Sequence, residues 1–178
     1  MCDEFQYTFI EILKLEESQE LIKMMDSIVV LEKQLSYVRN VLRSRKEHFQ
    51  ESFENRLFTN EKSAAEVYIH GITPLFQSCQ KLLESGNDHP TPDPSLNASF
   101  GPLEQYLDLY ARTISLLKKV EQQLQENDLN KYIDVFNGQT QMKLREWLNL
   151  NVMHTVTHIG QSLRLQSLYL RNKLVTAC

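Results

Sequence analysis

A spacing of three and four residues between apolar side chains dominates the first third of the chain. It extends over about residues 17–53 and is interrupted only at Arg45. The apolar positions are Leu21, Met24, Ile28, Leu31, Leu35, Val38, Leu42, Phe49 and Phe53. This stripe predicts a long amphipathic helix that packs near-antiparallel to its neighbours, at crossing angles of roughly 20°. A free coiled coil has the same spacing, but the later helical segments supply partners within the chain and favour a bundle.

A second helix is predicted to begin with Thr59 or Asn60 as its N-cap and to end near Gly86. Inside it, Pro74 offers no N–H to the carbonyl of His70, so the helix is expected to kink beside this histidine. In a regular helix, His70 lies roughly opposite the apolar stripe. Two placements therefore stay open: the kink and a second buried face bring His70 inward, or His70 is a surface residue.

Residues 86–102 form the longest predicted loop, because spaced prolines and short polar residues keep the backbone extended. A loop of this length is a candidate lid or interaction surface. A third helix is predicted to start near Pro102, and residues 129–139 are predicted to be a connector that turns at an Asn-Gly pair. Residues 1–15 keep no clear period and are predicted to be an N-terminal extension that packs on the core.

The last predicted helix, about residues 140–174, carries the side chains most suited to chemistry. One of its faces is apolar at both ends and polar in the middle, and consists of Leu144, Trp147, Asn151, His154, His158, Gln161, Leu165 and Leu168. His154 and His158 are four residues apart, so both point off one face, at the spacing with which two helical imidazoles share a metal ion. The same pair can instead be two hydrogen-bonded, partly buried histidines, with the polar positions fixing the helix register. The stretch is not the zinc-protease motif, because Thr155 stands where that motif has its general-base glutamate.

A second apolar stripe follows the opposite side of this helix and consists of Leu148, Val152, Val156, Ile159, Leu163 and Leu170. A helix that is apolar on two sides is expected to be covered on both. One stripe should face the bundle interior, and the other faces either another helix of the same chain or a second subunit. We therefore predict a homodimer that packs through Leu148, Val152, Val156, Ile159 and Leu163.

The composition excludes several classes of function. With 178 residues, 42% of them hydrophobic and 24% charged, the chain is expected to form one globular domain over residues 1–178. The net charge of −4 and the lack of a basic face argue against a nucleic-acid partner. No apolar run reaches about 18 residues, so no membrane span is expected, and the N-terminus lacks a secretory pattern. Cys2, Cys79 and Cys178 form neither a metal-ligand cluster nor a disulfide framework, which predicts a reducing, cytoplasmic setting.

Two short stretches carry a recognisable pattern. In Ser63-Ala64-Ala65-Glu66-Val67-Tyr68-Ile69-His70, a Ser-x-x-Glu start leads into a histidine of the second helix. In His154-Thr155-Val156-Thr157-His158-Ile159-Gly160-Gln161, the last helix has two histidines followed by Gly-Gln. Over about residues 17–175, the chain resembles the DinB/YfiT-like superfamily of metal-dependent helical-bundle proteins, some of which are thiol-dependent S-transferases. The family often has Arg where this chain has Ile159, so any role of that Arg does not carry over.

The resemblance implies an all-α fold, a four-helix bundle, in which His70, His154 and His158 hold one divalent metal ion. Three imidazoles leave a coordination position open, as in catalytic sites. Zinc and nickel are the first candidates and iron is a further one. The metal would lower the pKa of a bound thiol or water, which implies transfer of a small thiol to an electrophilic small molecule, or hydrolysis.

Three polar residues beside this site each allow two roles. Glu66, one turn before His70, either orients the imidazole ring or is a solvated acid on the helix surface. Asn151 and Gln161 either bind water, substrate or ring N–H groups, or fill the polar seam. The alternative function is a non-catalytic helical bundle that binds a partner or a small ligand and whose histidines are structural.

Overall fold

Helices form most of the part of the chain that the structure describes. The computed structural model describes residues 27–57, 61–84, 102–124, 126–135 and 140–176. In chain order the elements are α1 (Ser27–Ser44), a short 3-10 helix (Lys46–His48), α2 (Phe49–Glu54), α3 (Ala64–Leu83), α4 (Leu103–Gln123), α5 (Glu126–Leu129), β1 (Tyr132–Val135), β2 (Thr140–Lys143) and α6 (Leu144–Thr176). The predicted all-α class is confirmed in these ranges, whereas the predicted extension over residues 1–15 and nearly all of the Pro-rich loop lie outside them. Within the same ranges, no helix combines the length with the apolar composition that crossing a bilayer requires.

The first predicted stripe is buried as expected, but it belongs to two helices. In α1 the buried side chains are Ile28, Leu31, Leu35, Val38 and Leu42, and burial resumes in α2 with Phe49 and Phe53. The helix ends before Arg45, whose Nη1 donates to Gln166 Oε1 at 2.9 Å and to Ser167 Oγ at 3.0 Å. The prediction of one unbroken helix was therefore wrong. At this point of the stripe a guanidinium stands in place of an apolar side chain, and it binds the polar side chains of Gln166 and Ser167 on α6.

The second predicted helix starts later than expected. Ser63 is the N-cap of α3: its hydroxyl accepts from the N–H of Glu66 at 3.1 Å, and the carboxylate of Glu66 accepts from the N–H of Ser63 at 2.6 Å. This reciprocal pair is a capping box, so the assignment of the cap to Thr59 or Asn60 was wrong. The helix then continues through Pro74 to Leu83. Helix α4 begins directly after Pro102, close to its predicted start.

The long helices contact one another in a closed circuit. Helix α6 packs along α3 and also contacts α1 and α2, while α4 packs on α1 and α3. Between them lies an aromatic cluster in which Phe53, Tyr68 and Tyr106 meet edge to face, with ring centroids 5.0–5.7 Å apart. This cluster therefore joins α2, α3 and α4 in the core.

A short hairpin occupies part of the predicted connector before α6, and the predicted Asn-Gly turn lies outside the described residues. Strands β1 and β2 are antiparallel, with Tyr132 opposite Lys143 and Val135 opposite Thr140. The N–H of Leu144 donates to the carbonyl of Lys131 at 2.9 Å, so α6 begins where the hairpin closes. The last helix thus starts at Leu144 rather than near residue 140.

The predicted dimer face of the last helix is buried within the chain itself. Leu148, Val152, Val156, Ile159 and Leu163 are at most 6% exposed and belong to the hydrophobic core. They are covered because α6 packs against several helices of its own chain. Assigning these five side chains to a subunit contact was therefore wrong, and the intrachain option is the one observed.

Candidate metal centre

The centre lies where α3 and α6 run side by side, and two buried hydrogen bonds set their register. Thr155 Oγ1 donates to the carbonyl of Gly71 at 2.9 Å, and Ser162 Oγ donates to the carbonyl of Ala64 at 2.6 Å. Position numbers rise along one helix as they fall along the other, so the helices are antiparallel. This register places His70, the neighbour of Gly71, beside the turn of α6 that carries the other two histidines.

His70, His154 and His158 converge from these two helices. Each offers a ring nitrogen, and these three atoms all lie within 4.8 Å of one another. The ring centroids of His154 and His158 are 4.3 Å apart, and the His70 centroid lies 5.2 Å and 4.9 Å from them, respectively. His70 is exposed and the other two are half-buried. The cluster therefore sits at the surface, and His70 reaches it without being drawn into the core.

The spacing of the three imidazoles fits one small divalent ion. With zinc–nitrogen bonds of about 2.0–2.1 Å, two nitrogens on one ion lie at most about 4.2 Å apart, and about 3.4 Å apart in a tetrahedral site. The observed upper limit of 4.8 Å exceeds these values by an amount that rotation of surface side chains can close. Three imidazoles without a carboxylate suit zinc, nickel or iron better than magnesium or calcium.

His154 has a hydrogen bond that leaves one ring nitrogen available. Its Nδ1 lies 3.3 Å from the carbonyl oxygen of Gly71. A carbonyl only accepts, so Nδ1 carries the proton and Nε2 keeps its lone pair. A histidine held by a backbone carbonyl on one nitrogen is the usual arrangement of a metal ligand.

His158 has a buried ring nitrogen that lacks a hydrogen bond. Its Nδ1 has no partner among the described residues. Leaving such a group unsatisfied costs about 1–3 kcal/mol. A bound cation at this nitrogen would remove that cost, so this atom also fits a metal site.

Electrostatics favour the neutral form of His70 and His158, which is the form that binds metal. Burial lowers the pKa of His70, and the charges of Lys62, His158 and His154 lower it further. Burial and then the charge of His154 also lower the pKa of His158, and a smaller lowering comes from Lys62. Hydrogen bonding of the His158 ring N–H to the Gln161 side chain raises the pKa of His158 and opposes this trend in part. At neutral pH both rings therefore favour the form that has a free lone pair.

The three outer residues occupy different positions. Glu66 caps the N-terminus of α3 and accepts a hydrogen bond from Arg56 Nη2 at 2.5 Å. This bond is the main cause that lowers the pKa of Glu66, and the hydrogen bond from the Ser63 N–H is the second. Its predicted contact with His70 stays a prediction. Asn151 is buried and donates to the carbonyl of Trp147 at 2.9 Å. Gln161 is exposed, and it is the one of the three whose side chain shifts the pKa of a ring in the cluster, that of His158.

Sequence reasoning missed the residues that bring the helices together. Gly71 is buried in the middle of α3, where glycine weakens a helix and so needs a reason. Thr155 and Ser162 are fully buried polar residues within α6. Small and hydroxyl-bearing residues on facing helices were the available signal, but only the register shows that they meet.

Comparison of the chain with protein-family models, with curated proteins and with solved structures found no match. The case for the centre therefore rests on its geometry and its donor set.

Proposed function

We propose that the protein is a metal-dependent enzyme of the DinB type, in which His70, His154 and His158 hold one divalent ion, zinc or nickel before iron. The observation that carries the proposal is the convergence of three imidazoles from two helices, with their ligand atoms within 4.8 Å of one another. The contact circuit of α1, α4, α3 and α6 supports a four-helix bundle as the architecture.

The donor set favours a catalytic site over a structural one. Structural zinc sites are closed by four protein ligands, whereas catalytic sites use three and keep a position for water or substrate. In the described ranges, the cluster contains three histidines and no fourth ligand. When bound, the ion would lower the pKa of a thiol or water molecule at the open position.

The charge around the cluster favours an anionic reactant. The ligand set includes no carboxylate, and the side chain of Glu66, one turn before His70, is already paired with Arg56. Lys62 is exposed and its positive charge acts on both His70 and His158. A thiolate suits such a positive site, so transfer of a small thiol to an electrophilic small molecule is the preferred reaction, with hydrolysis second.

One observation favours a second function, a non-catalytic bundle that binds a partner or a small ligand. His154 is already hydrogen-bonded to the backbone of α3, and a histidine can serve such a contact for structure alone. In this case, the polar seam of α6 would specify how the helices pack.

Metal content separates the two functions. The untagged protein would be purified without added metal and compared with His154→Ala/His158→Ala by elemental analysis and circular dichroism. About one ion per chain is expected in the original protein, with loss in a variant that stays helical. His48→Ala is the matched control, because His48 is exposed on the short 3-10 helix outside the cluster.

The opposite result would reject the enzyme. If the protein contains no metal and takes up none on dialysis against zinc or nickel, while the double variant folds equally well, the histidines are structural. If metal is present, consumption of small thiols in the presence of electrophiles then distinguishes transfer from simple binding.

A further inference from the structure

We infer that Gly71 is the positioning residue of the centre: its carbonyl selects the tautomer of His154, and its missing side chain lets His158 lie alongside. Gly71 itself would not touch the metal. This inference rests on the proposed function only for the identity of the bound metal. The contacts of Gly71 with His154 and His158 lie within the chain and do not depend on a metal.

The close approach of the two helices requires glycine at this position. A Cβ added to Gly71 would lie 2.6 Å from His158 Cβ and 3.6 Å from its Cα. Ordinary contacts begin at 3.4 Å, and a Cβ cannot rotate away because it is fixed to the backbone. Any larger residue would therefore push α6 and α3 apart by nearly 1 Å, more than the roughly 0.5 Å within which a binding constellation has to be held.

The carbonyl of Gly71 determines which nitrogen of His154 is free. It accepts from Thr155 Oγ1 at 2.9 Å and from His154 Nδ1 at 3.3 Å. Because a carbonyl accepts only, this contact selects the Nδ1–H tautomer and directs the lone pair to Nε2.

Glycine is costly here, which is consistent with a specific use. In the middle of a helix it destabilises the fold by about 1 kcal/mol relative to alanine. The close approach to His158 and the doubly used carbonyl occur at the same residue. Both act on the two histidines that α6 contributes.

The test reads the tautomer of His154 in metal-free protein. Nitrogen NMR of the imidazole side chains would be recorded at increasing pH until the spectra no longer change, and the tautomer would be read there. The Nδ1–H form is expected for His154 in the original protein and in Thr155→Val, which keeps the glycine but removes the neighbouring hydroxyl. Gly71→Ala is expected to shift His154 toward the Nε2–H form.

A pair of double variants separates the steric contact from helix propensity. Gly71→Ala/His158→Ala keeps the Cβ–Cβ clash, whereas Gly71→Ala/His158→Gly removes it. Only the second pair is expected to restore the Nδ1–H form, and it keeps the test valid if Gly71→Ala alone fails to fold. An Nε2–H form of His154 in the original protein, or equal behaviour of the two double variants, would overturn the inference.

Metal binding gives a second reading. Gly71→Ala is expected to bind Co²⁺ about 10–100-fold more weakly than the original protein, with an altered visible spectrum. If the original protein binds no Co²⁺, Zn²⁺ or Ni²⁺, the proposed metal enzyme fails while the tautomer result still decides the role of Gly71. If both proteins bind Co²⁺ equally and with the same spectrum, the positioning role fails while the metal centre stands.

Discussion

Replacing His158 by leucine should stabilise the metal-free protein. Leucine keeps the Cβ that lies against Gly71 and removes the buried Nδ1 that has no hydrogen-bond partner. The interaction of the ring N–H with Gln161 is lost as well, but Gln161 is exposed, so water replaces the ring as its partner. Such a loss of stability is expected where a side chain is kept for metal binding rather than for packing.

The expected gain follows from the environment of that nitrogen. An unsatisfied buried polar atom costs about 1–3 kcal/mol, and the ring of His158 is half-buried, so a gain toward the lower end is expected. Metal should reverse the order. An ion present at a hundredfold excess over its dissociation constant stabilises the original protein by about 2.7 kcal/mol.

Urea unfolding in EDTA and in zinc measures both effects. In EDTA the leucine variant should have the higher free energy of unfolding, and in zinc the original protein should match or exceed it. His48→Leu, at an exposed histidine, should change stability by no more than about 0.5 kcal/mol in either buffer. A leucine variant that is less stable in EDTA by 1 kcal/mol or more would refute the reasoning, because His158 would then make a structural bond.

Four further predictions concern residues around and beneath the centre. Burial raises the pKa of the Cys79 thiol to about 12 from 9.0, so the unfolded chain loses this proton at lower pH than the folded protein does. The free energy of unfolding should therefore fall as the pH rises above 9. In urea unfolding between pH 8.5 and 10, Cys79→Val should lose about 1 kcal/mol less stability than the original protein. Ser63→Ala should lower the free energy of unfolding by about 1 kcal/mol through loss of the N-cap. Glu66→Gln should leave the zinc affinity within about twofold of the original value, and a tenfold fall on zinc titration would show instead that Glu66 orients His70. Lys62→Gln should weaken binding of small thiolates to the metal-loaded protein and reduce its dependence on salt, and unchanged affinity on calorimetry would remove Lys62 from the site.

Burial periodicity was the part of the fold that the sequence predicted best. The buried apolar residues of α1 and α2 fall on the predicted stripe, because a three-four spacing places them on one face of a helix. The break at Arg45 was visible as an interruption, but its consequence depends on Gln166, which is remote in sequence. The hairpin was missed because four-residue strands are too short to show a period.

Which surface covers a helix face is a tertiary fact that one sequence does not contain. The apolar side of α6 was equally compatible with a second subunit and with the helices of its own chain. The capping box of Ser63 and Glu66, in contrast, was a local signal that should have been preferred to Thr59 and Asn60, because it satisfies two backbone N–H groups at once.

The position of His70 shows why the site could be predicted only in part. The spacing of His154 and His158 is local to one helix, so their shared face follows from helical geometry alone. His70 lies opposite the apolar stripe of α3, which is compatible with a solvated side chain. It becomes a member of the cluster because α6 approaches α3 closely at Gly71, which has no side chain. At this point the helices are joined by the hydrogen bond from Thr155 to the Gly71 carbonyl rather than by large apolar side chains. A helix pair joined in this way brings its backbones close, and a histidine next to the closest point can then meet two histidines one turn apart on the neighbouring helix. The residues that create the centre are thus distinct from those that would bind the metal, and a search for ligand motifs alone overlooks them.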